Sequence, residues 1–366
     1  MTILNVTPYC ISNYGAMLQA WALRRVLEQL GHRVVYLNYP RFWPNHFGFS
    51  RLLRSASFSS VRSKLAINRQ LDLVRGELGG WSETKPYHSS NSLLANYPEA
   101  DCYLVGSDQV FSRHFLTNID TARHALLAFG PDHVRRVAYA ASFGCPKWSE
   151  REIAEMQWAE PWLRRFTAIG LRETSGVEIL RDWVGLEGRW TPDPTLLWNA
   201  DAYGQQFAMR RINKVRPRVF AYMLGFLNDD CRNGLYRSAV ETVARYLGGD
   251  VEVCQSKPAQ KLSWWLSNIV NADYVITNSF HGICFSILFH RPFLPLGFDG
   301  VDSWRNARVL NILQKLGLSN RFVTCLDRGA LQGIVSEKID WNRIDVLRKD
   351  FSVIGRSFLE TVLKGD

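Results

Sequence analysis

The sequence predicts an α/β protein made of two Rossmann-like domains that face each other across a cleft. Short apolar, β-branched runs alternate with helix-period segments almost from end to end. That is the pattern of parallel sheets covered on both faces. The alternation comes as two successive series, parted by a cationic, Pro-containing stretch at 210–218. The unusual polar residues also cluster where predicted strands stop and helices start, the edge on which α/β proteins build their sites.

In the first series, residues 3–6 read as a strand and 16–30 as an amphipathic helix stopped by Gly31, a residue suited to the left-handed turn that ends helices. A second strand is expected at 33–38. Strands follow at 102–105, 136–141 and 168–171, with helices near 150–165 and 173–184. The second series has strands at 219–224, 251–254, 274–277 and 293–296, with helices near 230–247, 259–270, 282–289 and 303–316. The expected division is 1–209 for the first domain, carrying an insertion at 41–98, and 210–340 for the second. A last helix, within 341–366, is expected to return to the first domain. There is no internal repeat and no low-complexity tract.

Composition narrows the classes. Hydrophobic residues make up 46% of the 366-residue chain, with 13 Trp, as in a well-packed globular protein. No segment approaches the roughly 20 apolar residues of a membrane span. The N-terminal residues read as a strand without a basic leader, so no signal peptide is expected. Seven scattered cysteines with no Cys-x-x-Cys pair suit reduced thiols in a cytoplasm. The net charge of +10 is concentrated early: residues 1–75 hold ten Lys and Arg against two acidic residues, and the rest hold 34 against 32. Between Arg41 and Gln70 no acidic residue occurs, and Arg51, Arg54, Arg62 and Lys64 are interleaved with Phe47, Phe49 and Phe58. A basic and aromatic stretch suits a membrane surface or a polyanion, and equally a solvated loop and helix.

Several strand ends carry candidate site residues. Asn13, Tyr14 and Gly15 open the first helix, although the Gly-x-Gly-x-x-Gly pattern is missing and Asn13 reads equally well as a helix cap. Ser107, Asp108 and Gln109 follow the strand at 102–105, where Asp108 could equally shape a turn. Ser142 follows 136–141. Arg172 follows 168–171, with an ion pair to Glu173 or Glu178 as the plainer reading. Asp193 precedes Pro194, which could simply break the chain. Asn278, Ser279, Phe280, His281 and Gly282 follow 274–277, and here Ser279 as a helix cap beside an incidental histidine is the alternative. His281 and His290 are nine apart, which is not metal-ligand spacing, so no metal is expected. Cys284 sits within an apolar helix face and reads as packing.

Taken together these residues resemble the polysaccharide pyruvyl transferase family. The resemblance is carried by Asn-Tyr-Gly-Ala-Met-Leu-Gln-Ala-Trp-Ala-Leu at 13–23, Val-Gly-Ser-Asp-Gln-Val-Phe at 105–111 and Ala-Ala-Ser-Phe-Gly at 140–144. It continues through Leu-Arg-Glu-Thr-Ser-Gly at 171–176, Asp-Pro-Thr-Leu-Leu at 193–197 and Thr-Asn-Ser-Phe-His-Gly at 277–282. Phe111 stands where the family commonly has tryptophan, and 41–98 matches none of its motifs. The resemblance implies a GT-B-like arrangement and transfer of pyruvate from phosphoenolpyruvate to a sugar as a cyclic ketal. It further implies that Arg172 and His281 serve the phosphoenolpyruvate site, with Asp108 and Asp193 as candidate bases. Asn13, Tyr14, Gly15, Ser107, Gln109, Ser142, Asn278, Ser279, Phe280 and Gly282 are the expected binding residues. Phosphoenolpyruvate is the expected donor, a glycan that can be lipid-linked the acceptor, and neither a cofactor nor nucleic acid is expected. The expected setting is the cytoplasm, with 41–70 docking on the inner membrane face. Two other readings stay open: a GT-B-type glycosyltransferase using a sugar nucleotide, and a non-enzymatic glycan- or nucleic-acid-binding protein.

Overall fold

A computed structural model describes residues 1–7, 13–39, 58–225, 230–255, 260–325 and 327–364. The basic aromatic stretch at 41–57, and the side chains at 58–64, 66, 67, 70 and 328, lie outside the described residues. The chain forms two compact units, Met1–Leu197 together with Phe351–Asp366, and Trp198–Asp350.

Unit 1 is built on β1 (Thr2–Asn5), β2 (Arg33–Tyr36), β3 (Cys102–Val105), β4 (Arg135–Ala141), β5 (Ala168–Leu171) and β6 (Arg189–Trp190). They form a parallel sheet in the order β2-β1-β3-β4-β5-β6. The order reverses between β1 and β3, which opens a crevice at their carboxyl ends. All four residues of β3 are buried, as a strand covered on both faces requires. Leu4, Tyr103, Val105 and Ala138 join one apolar core with Phe111, Phe143, Trp148 and Trp183.

The helix Tyr14–Gln29 begins where Asn13 accepts hydrogen bonds from Gly15 N at 3.0 Å and Ala16 N at 3.3 Å. It is buried over most of its surface, which explains its near-continuous apolar sequence. The helix Thr174–Val184 stops at Gly185, whose φ of +65° lets its N–H close on Arg181 O at 2.8 Å. Arg136, fully buried on β4, makes no ion pair with a carboxylate among the described residues. Its guanidinium donates instead to the carbonyls of Leu127, Phe129, Gly130, Pro131 and Val134, tying down the preceding turn.

Unit 2 repeats the plan with β7 (Arg218–Tyr222), β8 (Glu252–Gln255), β9 (Tyr274–Thr277) and β10 (Phe293–Pro295), parallel in the order β10-β9-β7-β8. The reversal falls between β7 and β9. The helix Phe280–Leu288 after β9 is buried at every position, Cys284 included. Buried Arg321 caps this sheet from below β10, donating to Phe293 O and to the Tyr274 hydroxyl. The units divide at Leu197/Trp198 rather than at 209/210, because the helix Ala200–Gln206 sets Tyr203 against Phe285 of unit 2, ring centroids 4.9 Å apart. The helix Trp341–Val362 gives its first turns to unit 2 and, from Phe351, its remainder to unit 1. Among the described residues no helix is long and apolar enough to cross a membrane.

Candidate functional site

The unit 1 site starts at the end of β3. Gly106 has φ +107°, and a Cβ there would run into the Tyr139 carbonyl, so only glycine lets the chain turn at this point. Ser107 and Asp108 follow, and Asp108 holds φ +76°, a left-handed conformation uncommon outside glycine. Its carbonyl accepts from Ser142 N at 2.9 Å, stitching the turn to the end of β4. Strain of this kind, of order 1–3 kcal/mol, persists where the surroundings over-determine it.

Arg172 follows β5, and its guanidinium meets this turn. Its Nη1 donates to Asp193 Oδ2 at 2.8 Å and reaches Ser107 Oγ at 3.5 Å, while Nη2 donates to Asp108 Oδ1 at 3.1 Å. Ser107 Oγ also donates to Asp193 Oδ2 at 3.1 Å. Asp193 is fixed from behind by Thr195, whose N–H and hydroxyl donate to Oδ1 at 3.0 and 2.8 Å. The Arg172 and Asp193 side chains are 1% and 0% exposed, whereas Asp108 is 21% exposed. Asp108 is therefore the acid of this trio that solvent or substrate can reach. Burial pulls the Arg172 pKa down, but the charges of Asp108, Asp193 and Glu173 outweigh it and hold the guanidinium above its ordinary value. It stays a cation at every pH the protein meets.

Arg172 is thus hydrogen-bonded to Asp108 and Asp193, and the charge of its sequence neighbour Glu173 adds to theirs. Glu173, fully buried, points to the turn after β4. Its Oε1 accepts from Ser142 Oγ at 2.8 Å, Phe143 N at 2.9 Å and Gly144 N at 3.2 Å. This carboxylate shapes the turn that borders Arg172, a role the sequence analysis does not give it. Its place in the Leu-Arg-Glu motif was the available signal. Ser142 is consumed by the same network. Gln109 packs against Gly144, close to where a Cβ would stand. Tyr14 and Gly15 are buried in the first turn of their helix, and Asn13 is its cap.

The unit 2 site is the turn after β9. Thr277 Oγ1 donates to Tyr222 O at 2.6 Å and accepts from Ser279 N at 3.0 Å, so the turn is locked to the end of β7. Ser279 caps the helix by accepting from Gly282 N at 3.3 Å. Asn278 is spent on the backbone of Leu224, accepting from its N–H at 2.7 Å and donating to its carbonyl at 3.0 Å. It positions the loop after β7. His281 lies in the first turn of the capped helix, buried, with the Phe280 ring edge-on at 5.2 Å. His290 is set apart from it, stacked on Trp341 at 5.1 Å with Nε2 3.1 Å from Asp345.

Two α/β units, each with a polar cluster at the carboxyl ends of a parallel sheet, define the class of protein. The chain belongs to the polysaccharide pyruvyl transferase family, whose model matches residues 13–300. No curated protein matches it in sequence. Among solved structures it is similar to UDP-N-acetylglucosamine 2-epimerase from Rickettsia bellii, at 9% identity and a TM-score of 0.49, over 99% of this chain and 98% of that one. UDP-GlcNAc 2-epimerase from Methanocaldococcus jannaschii is similar at 11% identity and a TM-score of 0.48, over 93% and 92% of the two chains. UGT89C1 of Arabidopsis thaliana, complexed with quercetin, is similar at 9% identity and a TM-score of 0.47, over 98% of each chain. Likeness at this level carries no argument about chemistry.

Proposed function

We propose that the chain transfers pyruvate from phosphoenolpyruvate onto two hydroxyls of one sugar in a polysaccharide or lipid-linked oligosaccharide precursor, forming a cyclic ketal. Family membership supports the reading, and the observation that carries it is the buried Arg172 guanidinium flanked by Asp108 and Asp193. Phosphoenolpyruvate brings a phosphate and a carboxylate, which call for a fixed cation. A sugar hydroxyl must lose its proton as it attacks, which calls for a nearby carboxylate.

In this mechanism the methylene carbon of phosphoenolpyruvate takes a proton, leaving cationic character on C2. One hydroxyl adds to C2, the C2–O bond to phosphate breaks, and the second hydroxyl closes the ring. Of the two hydroxyl protons, one balances the new methyl group and the other leaves with phosphate. Arg172 holds Asp108 in place, and the accessible Asp108 takes a hydroxyl proton. Buried Asp193 holds Arg172 in place. His281 binds the donor phosphate and relays a proton. The cationic 41–70 stretch would hold the protein near acceptors anchored in an anionic membrane face.

The test is phosphate release from phosphoenolpyruvate with a panel of lipid-linked and synthetic glycans, with mass analysis of the products. A ketal-bearing glycan, and a fall of about 10² to 10⁴ in turnover for His281→Ala, are expected. No release with any acceptor, together with protection from heat by a nucleotide sugar, would reject the proposal in favour of glycosyl transfer.

A further inference from the structure

Beyond β10, unit 2 carries a guanidinium that makes no ion pair with any described residue. The chain turns through Phe298 into the 3-10 segment Gly300–Asn306. Buried Asn306 grips Phe298 at both backbone groups, accepting from its N–H at 2.8 Å and donating to its carbonyl at 2.6 Å. Two arginines lie over the ring so fixed, Arg305 at 3.9 Å from its centroid and Arg232 at 5.0 Å.

The two differ in how their charge is met. Arg232 pairs with both acids of the loop, through Nη2 to Asp302 and through Nε to Asp299 at 3.8 Å. With those carboxylates engaged, Arg305 has no hydrogen bond or ion pair to any described residue, and it is only half-buried. Stacking holds its planar fork in one orientation over the ring. That removes part of the ordering cost a flexible side chain would meet on binding an oxyanion.

Its location gives the charge a use. Arg305 Nη2 stands 4.0 Å from the point a Cβ on Gly225 would occupy, and Gly225 adjoins Leu224, the residue held by Asn278. The side chain thus reaches from the loop after β10 to the loop after β7. In the sheet β9 lies between these strands, so Arg305 lies along the carboxyl edge that also carries Ser279–Phe280–His281–Gly282. Trp304 next to it is 48% exposed.

We propose that Arg305 binds a phosphate group of a substrate at this edge of unit 2. The proposal rests on the pyruvyl-transfer reading for the identity of that substrate. The phosphate has two sources, phosphoenolpyruvate itself or the diphosphate that anchors a lipid-linked sugar. The experiment is titration calorimetry on the full chain with phosphoenolpyruvate and, separately, inorganic diphosphate. It compares wild type with Arg305→Gln and with Arg305→Met, which keeps an apolar cover on Phe298 should the first variant fail to fold. A loss of about ten- to a hundred-fold in affinity is expected in either folded variant, the scale of a charged hydrogen-bonded contact. Loss toward phosphoenolpyruvate assigns the donor, and loss toward diphosphate assigns the acceptor anchor. Unchanged affinity for both ligands, or no binding of either by wild type, would overturn the proposal. Binding is read without turnover, so the two readings fail separately. Diphosphate binding that depends on Arg305, in a protein that never consumes phosphoenolpyruvate, keeps this site and removes the pyruvyl-transfer reading. Turnover of phosphoenolpyruvate with binding indifferent to Arg305 does the reverse.

Discussion

Arg172 illustrates how a catalytic candidate can also be a structural one. Its guanidinium neutralises Asp193, whose side chain is 0% exposed, and fixes Asp108 at the same time. Arg172→Ala would leave a buried carboxylate without its counter-charge, a loss of about 3–5 kcal/mol in comparable sites. A urea denaturation midpoint well below wild type is expected, so absent turnover in this variant would mix chemistry with stability. Arg172→Lys keeps the charge but loses the two-pronged geometry, and is expected to retain most stability while turnover falls. A wild-type midpoint for Arg172→Ala would refute the account of Asp193. These partners were not legible in the sequence, where Glu173 and Glu178 lie nearer. Glu173, at the start of the helix after β5, instead accepts from Ser142 Oγ and Phe143 N in the 142–144 turn.

At the scale of elements, the turn after β9 depends on how closely helix and strand approach. A Cβ on Gly282 would lie 2.6 Å from Thr277 Oγ1, the atom that bonds both Tyr222 O and Ser279 N. Gly282→Ala must push Thr277 aside, and a destabilisation of about 1–3 kcal/mol is expected from such overpacking. Thr277→Ala removes the obstructing atoms, so the double variant should be less destabilised than the sum of the singles in a denaturation cycle. Additivity of the two would show that the close approach is not the cause. Strong periodicity made most elements readable: β5 and β9 fall at 168–171 and 274–277 as the apolar runs indicate. The helix Phe58–Glu77 was not readable, because its sequence lacks a marked apolar stripe. The short helix Ala200–Gln206 carries no clear apolar period either, and the division between the units at Leu197/Trp198 lies just before it.

At the scale of the molecule, unit 1 is completed by chain that follows unit 2. Phe351, Phe358, Leu359 and Leu363 are buried, and Phe351 packs on Trp190 with centroids 4.9 Å apart. Arg356 donates to Leu197 O at 2.8 Å, and a Cβ on Gly355 would lie 2.5 Å from the Tyr139 hydroxyl. Each buried apolar side chain contributes about 1.5–3 kcal/mol, so together they approach the 5–15 kcal/mol that stabilises a typical domain. A chain ending at Asp350 is therefore expected to lose the near-ultraviolet circular dichroism of unit 1 and to melt at a lower temperature. A melting profile equal to that of the full chain would contradict this role for the final turns.

The sequence by itself determined the alternation of strands and helices, the two parallel-sheet series and the strand-end positions of the polar motifs. These follow from periodicity and turn chemistry, which act over a few residues. Tertiary structure alone decided which charges meet. Asp108 and Asp193 lie 64 and 21 residues from Arg172, and only the strand order β3-β4-β5-β6 brings their turns to one crevice. It likewise decided that Arg232, not Arg305, takes up the acids of the last loop. Charge pairing depends on distance in space, and local sequence carries no measure of it.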